Sequence, residues 1–165
     1  MHLSNFLKSA AVVCAALTLG SLAYACPDPS ARENVEKITG SDVYYTRQWP
    51  VLAGGYNDLA GCHGVSGFVI TKPDFSFSIA KVDQYGTLEV TATSEDCDVV
   101  LLVNTSRGLW YYNDDYAGYG SGSQVNISAP ADGVFDIWVG TYDTDLCNAT
   151  LELETFDGVF EDGLL

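Results

Sequence analysis

The chain has 165 residues with 22 acidic against 7 basic side chains, a formal net charge of −15. Such a surface disfavours nucleic acid and anionic membrane as partners and favours cations, or plain solubility. The length suits one ordinary domain, long enough to bury a real core.

Residues 1–25 read as a signal peptide. Lys8 gives a positive start, residues 10–22 an apolar core broken only by Thr18, Gly20 and Ser21, and Ala23-Tyr24-Ala25 an A-x-A cleavage pattern. Cleavage after Ala25 leaves Cys26 first. A lipoprotein anchor is the alternative there, but Ala23 stands where a lipobox has Leu. The apolar run is too short and wrongly flanked for a transmembrane anchor, and no other run is long enough. The expected location is secreted or periplasmic.

Beyond the signal, which holds Cys14, four cysteines remain: Cys26, Cys62, Cys97 and Cys147. An even count in an exported chain implies two disulfides. Three pairings are open; Cys26–Cys62 with Cys97–Cys147 is favoured because each bond then staples one half of the domain. A zinc site lacks close cysteine pairs, and His63 is the one histidine past the signal.

Residues 26–66 form an irregular N-terminal segment packed on the main domain. Residues 32–38 suit one helical turn and 43–46 a short strand. Residues 54–62 read as a glycine-bearing loop. From Gly67 the pattern has period two, as in Phe75, Phe77 and Ile79 against Ser76 and Ser78, or Leu151 and Leu153 against Glu152 and Glu154. Each such run is a strand with one buried face. Residues 99–103 are apolar on both faces, which predicts a central strand.

Eight strands are expected, at about 68–71, 76–81, 87–93, 99–104, 109–113, 124–128, 134–142 and 150–155. Turn signals such as Ser106-Arg107-Gly108 and Pro130-Ala131-Asp132-Gly133 separate them. The fold class is all-β: an antiparallel β-sandwich, jelly-roll-like, over residues 67–155. Residues 118–123, rich in Gly and Ser, are the expected flexible loop, and 156–165 an acidic, frayed tail.

Two constellations carry chemistry. If strands 99–104 and 109–113 form a hairpin, Asp98 comes near Asp114, with Asn113 and Asp115 alongside. Asp143 joins from a neighbouring loop, with Asp96 and Asp145 nearby. Oxygen donors in such number suit calcium, although Asn and Asp runs are also ordinary turn formers. The second is aromatic: Trp110 and Tyr112 share a face, and Trp138 lies on the polar-patterned face of its strand. Exposed, they would stack on a ligand; otherwise they pack beneath the Gly-rich loop.

In order from Asp96-Cys97-Asp98 come the apolar run 99–103, Gly108, Trp110-Tyr111-Tyr112, Asn113-Asp114-Asp115, then Gly140-Thr141-Tyr142. This order resembles the bacterial pre-peptidase C-terminal domain, a small β-sandwich appended to secreted peptidases. The resemblance covers about residues 67–155. It implies a non-catalytic exported module, and calcium in acidic loops. No peptidase domain precedes it here, so the module is expected to be free-standing, and Cys97 and Cys147 add a crosslink outside the family pattern. The expected function is a binding or accessory module, calcium-stabilised, that recognises extracellular protein or polysaccharide. The alternatives are a small hydrolase built on His63 or paired carboxylates, and a structural envelope protein whose acids only keep it soluble.

Overall fold

The computed structural model describes residues 25–116 and 120–158. The expected signal, all but its last residue, and positions 159–165 of the tail lie outside the described residues. Two sheets pack face to face. The larger holds β1 (Glu36–Thr39), β3 (Asn57–Asp58), β4 (Phe68–Val69), β5 (Phe75–Ala80), β7 (Val99–Asn104), β8 (Trp110–Asn113) and β10 (Gly133–Thr141). The smaller runs β2 (Arg47–Ala53), β11 (Cys147–Phe156), β6 (Thr87–Thr93), β9 (Ser123–Ser128). The fold is an all-β sandwich of seven and four strands.

All eight expected strands form. Period-two patterning works because one parity of each strand faces the other sheet. Val99, Leu101 and Val103 of β7 join Phe135, Ile137 and Val139 of β10 in the central core, opposite Leu151 and Leu153 of β11 and Leu88 and Val90 of β6. As expected, β7 is central: it pairs with β10 on one side and β8 on the other. The 105–109 turn closes the β7–β8 hairpin with Leu101 opposite Asn113 and Asn104 opposite Trp110.

Three further strands arise in the segment expected to be irregular. The expected helical turn at 32–38 is instead extended, and β1 pairs in parallel with β5. The expected strand at 43–46 is displaced to β2, which begins at Arg47 and pairs with β11. Pro50 sits within β2 without breaking the ladder because β2 is an edge strand. The segment thus seals an open side of the sandwich: Arg47 pairs with Glu36 at 2.6 Å, and Trp49 Nε1 donates to Glu36 at 3.2 Å.

The other parity of β7 explains why it is apolar on both faces. Val100, Leu102 and Trp138 form a second core with Leu59 and Val69 on the outer side of the larger sheet. The covering chain comes very close. A Cβ at Gly140 would lie 2.5 Å from Phe68 O, and Gly67, at φ +107°, occupies a conformation that suits glycine.

Both favoured disulfides form. Cys26–Cys62 and Cys97–Cys147 have Cα atoms 5.7 and 6.2 Å apart. A sulfur bonded to Cys62 leaves Cys26 without a free thiol for lipidation, which counts against the lipoprotein alternative. Of the expected tail, Phe156 still belongs to β11, and Gly86 N–H donates to its carbonyl. Within the expected flexible loop, Ser121 is tied down: its carbonyl accepts from Val99 N–H and its hydroxyl donates to Ser94 O.

Candidate functional site

Strand order places the acidic residues. Because β7 lies between β8 and β10, its leading residue, Asp98, meets the trailing ends of both neighbours. Asp98 O accepts from Tyr142 N–H at 2.9 Å, which fixes it beside the end of β10. On the other side, β8 ends at Asn113 and the chain turns through Asp114 and Asp115.

Asn113 builds that turn. Its Oδ1 accepts from the N–H groups of Asp114 and Asp115 at 3.0 and 3.2 Å. Its Nδ2 donates to Gln124 O, and its carbonyl accepts from Ser123 Oγ. Asn113 therefore ties β8 to β9 and clasps the two sheets at this end. Thr141 Oγ1 donates to Asp143 O at 2.6 Å and shapes the second turn.

The charge consequence falls on Asp98. Partial burial pushes its carboxyl above the usual range, and the carboxylates of Asp115, Asp114 and Asp143 push it further. Four acidic groups from three strand ends thus share one field. Beside them a groove of about 500 Å³ is lined by Asp96, Asp98, Asp143, Asp145 and the Cys97–Cys147 bond. Among the described residues, no three such groups converge on one point as metal ligands do.

The aromatic residues have a different placement. Trp138 was expected either in a ligand-facing surface or packed beneath the Gly-rich loop; it is 0 % exposed, so it faces no ligand, and Nε1 donates to Thr71 O at 3.3 Å. The cause is simple: the polar-patterned face of β10 is covered by residues 59–70, not by solvent. Trp110 is half-buried against Trp138, ring centroids 5.5 Å apart, and against His63 at 4.6 Å. Tyr112 is also half-buried; its hydroxyl donates to Ser66 O, and burial pushes it above its ordinary pKa. These rings pack under residues 59–70 and not under the Gly-rich loop. Burial also lowers the pKa of His63, biasing its ring to the neutral form.

Three acid placements were not legible in the sequence, one buried and two partly buried. Asp136 lies in mid-β10, where Arg32 and Ser76 hold it. Asp74 Oδ2 accepts from Val139 N–H at 2.9 Å, in the gap where β10 stops pairing with β5 and has not reached β4. Burial pushes Asp74 up to about 7, against the opposing pull of that N–H and of Lys72. Glu89, on the outer face of the smaller sheet, is raised by burial and then by Glu154 and Glu152. Alternation marks such positions only as polar.

Among the described residues, no helix is long and apolar enough to cross a membrane. No protein-family model matches the chain. No curated protein matches it. Among solved structures it is similar to the pre-peptidase C-terminal domain of a collagenase from Bacillus anthracis. The identity is 16%, over 74% of this chain and 95% of that chain, with a TM-score of 0.41. A likeness of this size leaves function to be read from the site itself.

Proposed function

We propose that the chain is an exported, non-catalytic accessory module that recognises an extracellular protein or polysaccharide and takes calcium at its acidic end. Two disulfides support export, since such bonds persist in oxidising compartments. The cleavable pattern at residues 1–25 supports it independently. His63 is committed to packing on Trp110, which favours the module over the hydrolase.

The observation that carries calcium is the position of Asp98 between the 113–115 turn and the Asp143 turn. Calcium takes six to eight oxygens. The donors available here are all oxygen, which suits calcium and not zinc. The carboxylates of Asp98, Asp114, Asp115 and Asp143 would hold it, and the bound ion would offset their mutual repulsion. Because they do not yet converge, binding draws the two turns toward Asp98.

Calorimetric titration of the oxidised protein with calcium at pH 7 tests this. Saturable uptake that disappears in Asp98→Asn supports the reading. Heats no larger than dilution would return these carboxylates to solvent.

A further inference from the structure

Two connections cross between the sheets at the acidic end: residues 94–98 lead from β6 to β7, and residues 142–146 from β10 to β11. Cys97 lies in the first, between Asp96 and Asp98. Cys147 follows the second, which carries Asp143 and Asp145, and opens β11. Their disulfide joins the two connections covalently. It forms part of the wall of the groove that Asp96, Asp98, Asp143 and Asp145 line. Among the described residues, no lysine or arginine stands in that wall.

The bond therefore ties together two connections of like charge. Coulomb repulsion drives such groups apart, whereas calcium needs oxygen donors brought together. Hydrogen bonds flank the disulfide: Tyr142 N–H donates to Asp98 O at 2.9 Å, and Ser94 Oγ donates to Asn148 O at 2.8 Å. Cys97 is half-buried and Cys147 is 9% exposed, so a thiol entering the groove reaches the sulfur of Cys97 first. The other bond, Cys26–Cys62, holds the N-terminal segment, and neither of its cysteines lines this groove.

We propose that the Cys97–Cys147 bond is a redox gate on the acidic end: intact, it holds the two connections together for the cation; cut by a dithiol reductant of the same compartment, it lets them part and uptake falls. The inference rests on the calcium reading and adds its regulation. A thiolate of the dithiol attacks Cys97 Sγ, the Cys97–Cys147 bond breaks, and Cys147 leaves as a thiolate that takes up a proton. The second thiol of the dithiol, losing its proton, displaces Cys97 from the mixed disulfide, and Cys97 is protonated in turn. Two electrons pass to the cysteine pair, which ends as two thiols, and the dithiol ends as a disulfide. Linkage makes the coupling reciprocal: the factor by which the bond raises calcium affinity is the factor by which calcium protects the bond.

Calorimetric titration with calcium at pH 7 compares oxidised wild type, Cys97→Ser/Cys147→Ser and Cys26→Ser/Cys62→Ser. Affinity should fall at least tenfold in the first variant and stay within threefold of wild type in the second. The second variant, with its one remaining bond, is then equilibrated in dithiothreitol buffers with and without saturating calcium. A tenfold coupling sets the potential of that bond about 30 mV lower in calcium, a readout that does not require the first variant to fold. A third readout needs no calcium. Exchange of the Tyr142 amide should quicken at least tenfold in Cys97→Ser/Cys147→Ser, and about 1 M salt, which screens the repulsion, should reverse most of the change. Salt-independent exchange would mean that the bond only staples the fold, and would overturn the gate. Equal calcium affinity with and without the bond, or a potential indifferent to calcium, would overturn the gate and leave the calcium reading standing. No uptake by oxidised wild type would overturn both.

Discussion

Arg32 forks onto Asp136 across 104 residues of sequence: Nε reaches Oδ1 at 3.1 Å and Nη2 reaches Oδ2 at 2.6 Å. Asp136 is 1% exposed in the middle of β10, and Ser76 Oγ completes its shell at 2.6 Å. The N-terminal segment is therefore anchored into the sandwich by a charge-assisted pair.

Removing that anchor leaves a buried carboxylate with one neutral partner. Arg32→Ala is expected to cost about 1.5–3 kcal/mol, the range for hydrogen bonds to charged groups. Urea unfolding checks it: the midpoint should fall with little change in slope. Asp136→Asn in the Arg32→Ala background should recover part of the loss.

Asp74 gives stability a pH dependence with a definite sign. Its folded-state pKa, about 7, lies above the unfolded value near 4. The folded state therefore holds its proton more tightly. The contribution is fully present below about pH 4 and is lost as pH rises toward 7. Asp74→Asn keeps an acceptor for Val139 N–H but removes the titration. Urea midpoints of wild type and variant should diverge between pH 4 and 7, the variant being the more stable at neutral pH.

Trp138 tests the second core. Trp138→Ala is expected to cost about 3–5 kcal/mol, as for other large aromatic truncations. Trp138→Phe should cost much less, losing chiefly the bond to Thr71 O. A thermal melt of each variant is enough. Near-neutral behaviour of the alanine variant would mean that residues 59–70 do not cover this face in solution.

The disulfides close loops of 36 and 50 residues. Chain entropy assigns each about 4 kcal/mol. Cys26→Ser/Cys62→Ser should loosen the N-terminal segment first. Its amides should exchange faster than those of β7 and β10, measured by hydrogen exchange.

The sandwich was legible because period two holds wherever one face is dry. β5, β6, β10 and β11 announced themselves in this way, β7 by its unbroken apolar run, and the β7–β8 hairpin followed from its turn. The edges β1 and β2 did not, for physical reasons. Ile38 is the one buried residue of β1, and β2 alternates in burial but not in hydropathy, since Pro50 and Leu52 stand on its exposed parity. The acidic end was legible as a cluster but not as a geometry. The hairpin was expected to bring Asp98 near Asp114, and the two carboxylates do act on each other. What the hairpin alone did not give is that the register Leu101–Asn113 sets Asp98 beyond the paired residues, where Asp115 and Asp143 share the same field. The cover over Trp138 was not foreseen because alternation shows which residues share a face and not what covers that face. Residues 59–70, distant in sequence, supply the cover.

The central claim is that calcium binds the folded protein through the carboxylates around Asp98, and one comparison tests it most directly. Thermal melts of the oxidised protein would be recorded in millimolar calcium, in magnesium and in chelator, for wild type and for Asp98→Asn. A ligand that binds the folded state alone raises its stability by RT ln(1 + [L]/Kd), about 2.7 kcal/mol at a hundredfold excess over Kd. The account predicts a rise of several degrees with calcium, little with magnesium, and none in Asp98→Asn. Superimposable wild-type melts in calcium and chelator would contradict it.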